Sequence, residues 1–190
     1  MTINIISPEQ YKTIPWKNGL GETTELAINE GGDVTNFDWR LSIARVTKDG
    51  FFSDFSNYSR NLILISGKGL RLEHDNQKVE QLDQLLDMAS FDGGCKTFGT
   101  LTSGEIKDFN IITKTSIYHT QVERYINEQF IVLKQNTQYF VYSISHEAKL
   151  NFNNETMELP CGYLLAISKI NKEEVILKGR NLIVIQLLNL

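Results

Sequence analysis

The chain has 190 residues, a formal charge of −4 and a pI near 5.4, with no Lys/Arg-rich run. That balance argues against nucleic acid as a partner, because neutralising phosphates takes a basic surface. Hydrophobic content of 41% and charged content of 22% fit a soluble globular protein; apolar runs such as "LIVIQLL" are too short to span a bilayer, and no charged leader precedes an apolar core at the N-terminus, so the cytoplasm is the expected compartment.

From the N-terminus, Ser7-Pro8-Glu9 reads as one short helical turn with proline at its first position. The stretch "PWKNGLGETTELAI" follows, with Gly19 and Gly21 one residue apart. A dinucleotide-binding loop needs a third glycine and a helix behind it. Here Thr24 stands in the third position and the continuation is β-branched, which favours a strand. No Walker G-K-[ST] occurs. Asn18-Gly19 is a turn dipeptide, since both residues tolerate positive φ. The segment before it contains Pro15 and does not read as a strand. On the strand that follows, alternation puts Thr23, Glu25 and Ala27 on one face and Thr24, Leu26 and Ile28 on the other.

In "FDWRLSIARV", Trp39, Leu41 and Ile43 share one face while Arg40, Ser42 and Ala44 share the other, which looks to solvent or into a cavity. Arg60, in "NYSRNLILI", sits at the mouth of a strand whose unbroken apolar run predicts burial on both faces. Two arginines at one barrel mouth would form a fork for a carboxylate. Glu25 offers one of them a structural partner instead. "VEQLDQLLDM" has some 3.6-residue periodicity but reads better as loop plus strand. In "KDFNIIT", Asp108 and Asn110 face opposite to Phe109 and Ile111; Asp108 either orients an arginine, binds a ligand amide or caps a turn.

Further short strands follow at "QFIVLKQ", "QYFVYSI", "AKLNF", "ETMEL", "YLLAI", "EEVILK" and "NLIVIQLL", separated by turn clusters such as "NN" and "KGRN". Short strands at this spacing predict an all-β sandwich or barrel with little helix. A weak repetition of strands, Gly-containing turn and strands places a seam near residue 114. The expected organisation is one compact domain over 1–190, with a first small barrel at about 15–114 and a second at about 115–190. Cys95 and Cys161 are isolated and read as inert, one of them buried in the apolar segment "CGYLLAI". His74, His119 and His146 stand alone, with neither His-x-His nor a carboxylate at ligand spacing, and read as solvated; no metal or other cofactor is expected. No G-x-S-x-G elbow and no activated Cys–His pair is present, although a triad drawn from distant strands leaves no mark in sequence order.

The motifs "PWKNGLGETTEL", "FDWRLSIARV", "DGFFSDFSNYSRNLILISGKGLRL", "FDGG" and "GEIKDFNIIT" occur in the order and spacing of the HutD/Ves family, which the chain resembles over roughly residues 15 to 115. The resemblance implies a bicupin: two small jelly-roll barrels packed side by side. Metal-binding cupins carry a histidine pair and a glutamate in their first motif, and the equivalent region here has no histidine, so the resemblance implies a metal-free barrel. Family members are associated with histidine-utilisation operons, and others with stress response. The implied role is to bind a small anionic metabolite and modulate a pathway. Matching motifs carry over Trp16, Asn18, Gly19, Thr23, Glu25, Arg40, Ser42, Arg60, Asp108 and Asn110 as candidate ligand-binding residues. Two departures stand out. The family usually reads Phe-Asp-Gly-Asp where this chain ends in Gly94, and Phe51 replaces a frequent proline.

The preferred reading is a non-catalytic binding module for a small carboxylate such as a histidine-degradation intermediate, with Arg40 or Arg60 as the anion clamp. The first alternative is a metal-independent isomerase or lyase using Glu25 or Asp108 as general base. The second is a stress-related protein-interaction module. Oligomeric state is left open.

Overall fold

The structure, a computed structural model, describes residues 1–17, 19, 21–75, 77–168, 170 and 174–190. Among them the chain is all-β, with one 3-10 turn at Pro8–Gln10, where Gln10 N donates to Ser7 O at 3.0 Å. It divides into two compact units: an N-terminal unit, Tyr11–Tyr118, and a C-terminal unit made of His119–Leu190 together with Met1–Gln10. Strands are numbered in chain order.

The N-terminal unit has a six-stranded sheet in the order β2 (Lys12–Pro15), β3 (Gly21–Ile28), β4 (Trp39–Val46), β11 (Ile106–Lys114), β6 (Tyr58–Ser66) and β9 (Met88–Asp92). Its second sheet runs β5 (Gly50–Phe51), β10 (Thr97–Leu101), β7 (Leu70–His74) and β8 (Lys78–Leu82). Neighbours pair antiparallel throughout. The segment holding Pro15 is therefore a strand, contrary to the sequence reading. Proline is tolerated there because β2 lies at the sheet edge, where no ladder bond on the outer side needs its missing N–H. Between Leu82 and Met88 the chain turns rather than coils into a helix: Asp83 N and Gln84 N both donate to Asp87 Oδ2, at 2.9 and 2.8 Å.

Alternation along β3 fails at one point. The β3–β4 register shifts between Glu25 and Ala27, so Leu26 is an extra, buried residue in a bulge. Thr23 and Glu25 keep the face predicted for them, opposite Ala44 and Ser42. Beyond the bulge Ala27 pairs with Leu41 and Ile28 with Arg40, which exchanges the faces assigned to those two residues.

The C-terminal unit repeats the plan. One sheet runs β1 (Thr2–Ile6), β17 (Leu164–Ser168), β14 (Gln138–Ser143), β19 (Leu182–Asn189) and β12 (Tyr118–Tyr125); the other runs β13 (Gln129–Leu133), β18 (Val175–Gly179), β15 (Ala148–Phe152) and β16 (Glu155–Leu159). The β15–β16 hairpin closes through Asn153 and Asn154, both at positive φ (49° and 61°). That is the two-residue turn whose twist matches the flanking strands, and Asn tolerates the conformation. The interior is an apolar cluster that includes Leu133, Val141, Leu150, Leu165, Leu177 and Val184. Tyr139 joins it and keeps its hydroxyl satisfied by accepting from Lys134 N at 2.8 Å.

Two further readings are corrected. His74 is buried rather than solvated: Nδ1 lies 2.8 Å from Thr97 Oγ1, Nε2 lies 3.0 Å from Glu80 Oε2, and the ring packs on Phe91. Cys161 is exposed, its thiol donating to Ile144 O, because it precedes the buried part of its segment; both cysteines are free.

Candidate functional site

A cavity of about 560 Å³ opens within the N-terminal unit. Its floor is the inward face of the six-stranded sheet. Ser42 pairs with Asn110 and Glu25, and Ile112 pairs with both Arg40 and Arg60. Side chains directly opposite in a ladder share a face, so the register alone brings Arg40, Ser42, Arg60 and Asn110 together. Deeper along this face, Ala44, Val46, Leu62 and Leu64 turn apolar and merge with Leu70, Leu72 and Leu82 of the second sheet. The walls come from Pro15–Lys17 and from the stretch Lys48–Phe55.

The glycines of the opening motif serve backbone shape. Gly19 takes φ 68° in a turn where its N–H donates to Trp16 O at 3.0 Å. At Gly21 a Cβ would stand 2.2 Å from Arg45 O, so only glycine lets β3 meet β4 there. The turn delivers Trp16 to the cavity wall, where Nε1 donates to Thr23 Oγ1 at 2.7 Å. Among the described residues the motif continues into strand β3 and not into a helix, so it lacks the helix N-terminus of a phosphate loop.

Arg60 is buried, 5% exposed, and its guanidinium stands 4.8 Å from the centre of the Phe52 ring. Its Nε and one terminal nitrogen donate to Asn110 Oδ1 at 3.0 and 2.7 Å. Asn110 Nδ2 in turn donates to Asp108 Oδ1. Asp108 is 0% exposed, and its Oδ2 has no hydrogen-bond partner. Burial pushes the Asp108 carboxyl up to about 7, against the opposing pull of the Arg60 charge and the Asn110 hydrogen bond. Burial likewise draws Arg60 down to about 10; Asp108 opposes this and the positive charge of Arg40 adds to it. Arg40 lines the cavity and donates through Nε to Glu25 Oε2 at 2.8 Å.

Of the residues singled out in the sequence, Trp16, Thr23, Arg40, Ser42, Arg60 and Asn110 line the cavity. Glu25 and Asp108 do not; each stands behind an arginine and holds it, directly or through Asn110. Gly19 lies in the exposed turn outside the lining, and Asn18 lies outside the described residues. Residues that sequence reasoning left aside are Lys17, Lys48, Val34 and the aromatic trio Phe51, Phe52 and Phe55. The signal for the trio was the run "FFSDF": Phe51 ends the short strand β5, and Phe52 and Phe55 lie in the loop behind it, where large apolar side chains have no strand face to fill. Phe51 is 62% exposed at the rim, edge-on to Phe98, so the proline frequent in the family is replaced by an aromatic lip. Gly94 lies in an exposed turn closed by its N–H donating to Asp92 Oδ1, away from the lining.

The electrostatics have one sign. Among the described residues Lys17, Arg40, Lys48 and Arg60 line the cavity and no Asp or Glu does, in a chain whose net charge is −4. Guanidinium and ammonium groups repel a metal ion, so this donor set does not fit one. Among the described residues no three His, Cys, Asp or Glu side chains converge elsewhere. No helix among them is long and apolar enough to cross a membrane.

Comparison with known proteins places the chain in a family. The HutD family model matches residues 8–184. An uncharacterised 21.2 kDa protein in the hutC 3′ region of Pseudomonas putida is 34% identical over 121 residues, 64% of this chain and 63% of that one. Protein Ves of Escherichia fergusonii is 34% identical over 100 residues, 52% of this chain and 51% of its own length. These curated relatives are thus matched over half to under two thirds of their length. HutD from Pseudomonas fluorescens SBW25, solved in a formate condition, superposes with a TM-score of 0.84 at 26% identity over 100% of both chains. A cupin 2 conserved barrel domain protein from Leptotrichia buccalis shares the fold, with a TM-score of 0.56 at 8% identity over 93% of this chain and 96% of that one.

Proposed function

The chain belongs to the HutD family of cupin-fold proteins, and from that premise we propose that the cavity of its N-terminal unit binds a small carboxylate and that this binding modulates a metabolic pathway. The observation that carries the reading is the cavity's charge: four cationic side chains and no carboxylate among its described lining residues. A guanidinium fork matches a carboxylate two bonds at a time, and a desolvated contact of this kind contributes about 1.5–3 kcal/mol. Arg60 and Arg40 supply the forks, each fixed by a partner on its far side. The rings of Trp16, Phe52 and Phe55 offer an apolar wall to the rest of the ligand. An α-amino acid fits poorly, since its ammonium would enter without a carboxylate to meet it. The place of the Pseudomonas putida relative in the hutC 3′ region favours histidine utilisation as the pathway.

Thermal unfolding against matched sets of small acids, their amides and their α-amino counterparts, with and without chelator, tests this. A ligand at a hundred times its dissociation constant adds about 2.7 kcal/mol, a rise of about 5–10 °C for a chain of this size. The expected result is a chelator-insensitive rise with an acid and none with its amide. Equal rises for acid and amide would remove the anion clamp.

A second reading draws on the raised pKa of Asp108: an enzyme in which that carboxyl acts as general base. The position of Asp108 behind Asn110 weighs against it, because a base must come within hydrogen-bond reach of the proton it takes. Turnover of a bound acid that Asp108→Asn abolishes would restore this reading.

A further inference from the structure

Within the N-terminal unit, Asp108 is a buried acid that does not itself line the cavity. Its Oδ2 is the one buried side-chain oxygen or nitrogen among the described residues without a hydrogen-bond partner. Its Oδ1 is engaged by Asn110, whose other end is locked by two donors from Arg60. The three side chains form a line from an enclosed carboxyl to the cavity, so the charge on Arg60 is shared between Asp108 on one side and whatever occupies the cavity on the other.

We propose that Asp108 is a positioning residue that couples anion binding to a proton: a monoanion seated against Arg60 is taken up together with one proton, which comes from solvent and rests on Asp108 Oδ2. This rests on the anion-binding reading given above. In the empty cavity Arg60 is the counter-charge that favours the ionised carboxyl. An anion at the free face of Arg60 offsets that charge, and a second negative charge close by raises the cost of keeping Asp108 ionised. The neutral carboxyl is the cheaper form to bury without a partner on Oδ2. Proton and anion together leave the net charge of the site unchanged, and Asn110 keeps its orientation because Oδ1 remains its acceptor in either form.

The groups that face this line are few. Arg60 comes from β6, Arg40 from β4 and Glu25 from β3, the last two paired with each other. Across the second sheet, His74 of β7 is held by Glu80 of β8 and Thr97 of β10, with its ring against Phe91 of β9, the same ring that lies 5.7 Å from Arg60. His74 is thus a second ionisable side chain near the line, and the test has to separate it from Asp108.

The sign follows from linkage. The carboxyl of the empty protein, already raised to about 7, rises further when an anion binds, so affinity is highest below that range and falls as pH increases above it, by about tenfold per pH unit at the steepest. The probe is formate, which stays ionised throughout. An NMR titration following the Trp16 indole N–H gives its affinity from pH 5.5 to 9, and pH-stat measurement gives the protons taken up as it binds. Wild-type protein is expected to lose affinity above pH 7 and to take up protons, approaching about one per chain in that window. Asp108→Asn, which keeps the acceptor for Asn110, is expected to bind at least as tightly at pH 8, with a flat profile and no uptake. Growth of a protonated-carboxyl infrared band on adding formate to wild-type protein reports the same event without a variant. A pH dependence that survives in Asp108→Asn would assign the proton to His74 and overturn the proposal. Saturable binding with a flat profile in wild-type protein would overturn the coupling alone, whereas no saturable binding at any pH would remove the anion site itself.

Discussion

The two units share a plan of paired antiparallel sheets but fill their interiors in opposite ways. In the C-terminal unit the inward strands carry Tyr139, Val141, Leu165, Ile167, Leu182 and Val184, and these close into one apolar cluster. In the N-terminal unit such packing occupies only part of the interior, around Leu62, Leu64, Leu70 and Leu72. Elsewhere the inward face of β4, β6 and β11 carries Arg40, Arg60, Asp108 and Asn110, all buried. Burying charge without full compensation opposes folding, and an unpartnered carboxylate oxygen is the extreme case. Among the described residues the buried arginines and the buried aspartate all lie in the N-terminal unit, so the cost of burying charge falls there.

That contrast can be broken from either side. The largest effect is expected from the packed unit: Leu177→Ala removes a fully buried side chain from its cluster and should cost about 2–5 kcal/mol in chemical denaturation. Making the N-terminal unit resemble its counterpart should do the reverse. Arg60→Met with Asp108→Val and Asn110→Val replaces a buried charged line by apolar volume, with an expected gain of about 1–4 kcal/mol and loss of carboxylate binding. A net loss of stability would mean that the line holds the unit together.

Asp108→Asn gives a finer test through pH. The carboxyl is raised in the folded chain, to about 7, relative to an unfolded value near 3.8, so the neutral form favours folding. Its contribution to stability is fully present below the unfolded value and is lost as pH rises through about 7. The variant should therefore melt higher than wild-type protein at pH 8, with the gap closing towards pH 4. A gap independent of pH would place the acid elsewhere. The smallest effect is expected at Gly94→Asp, which restores the family's usual residue in an exposed turn. Its new Cβ would meet Ser56 Oγ at 3.0 Å, so a change within about 0.5 kcal/mol and unaltered carboxylate affinity are expected.

Much of the site was legible from alternation alone. "WRLSIARV" and "KDFNIIT" placed Arg40 with Ser42 and Asp108 with Asn110 on faces that the register then joined through Ser42 opposite Asn110. Arg60 was placed by its position at the mouth of an apolar strand, and the resemblance supplied Trp16. What alternation could not show is depth. Asp108 and Asn110 share a face, yet one lies behind the other, and only the tertiary packing sets which of them meets the cavity. The same holds for Glu25 behind Arg40. The bulge at Leu26 was invisible because no glycine marks it, and the faces assigned beyond it were reversed. The edge strand β2 was missed because proline in a strand is read as a break unless the edge is known. The wall Phe51–Phe55 carried a composition signal but no period, because the chain leaves the two-residue strand β5 at Phe51 and continues as loop.

The most direct test of the central claim is a side-by-side NMR titration with formate and formamide, read at the Trp16 indole N–H and the Arg40 Nε–H of wild-type and Arg60→Ala protein, and also at the Arg60 Nε–H of wild-type protein. A carboxylate site predicts saturable shifts at these groups with formate alone, and a loss of about 10- to 150-fold in affinity on removing Arg60. Equal responses to formamide, or an affinity for formate indifferent to Arg60, would contradict it.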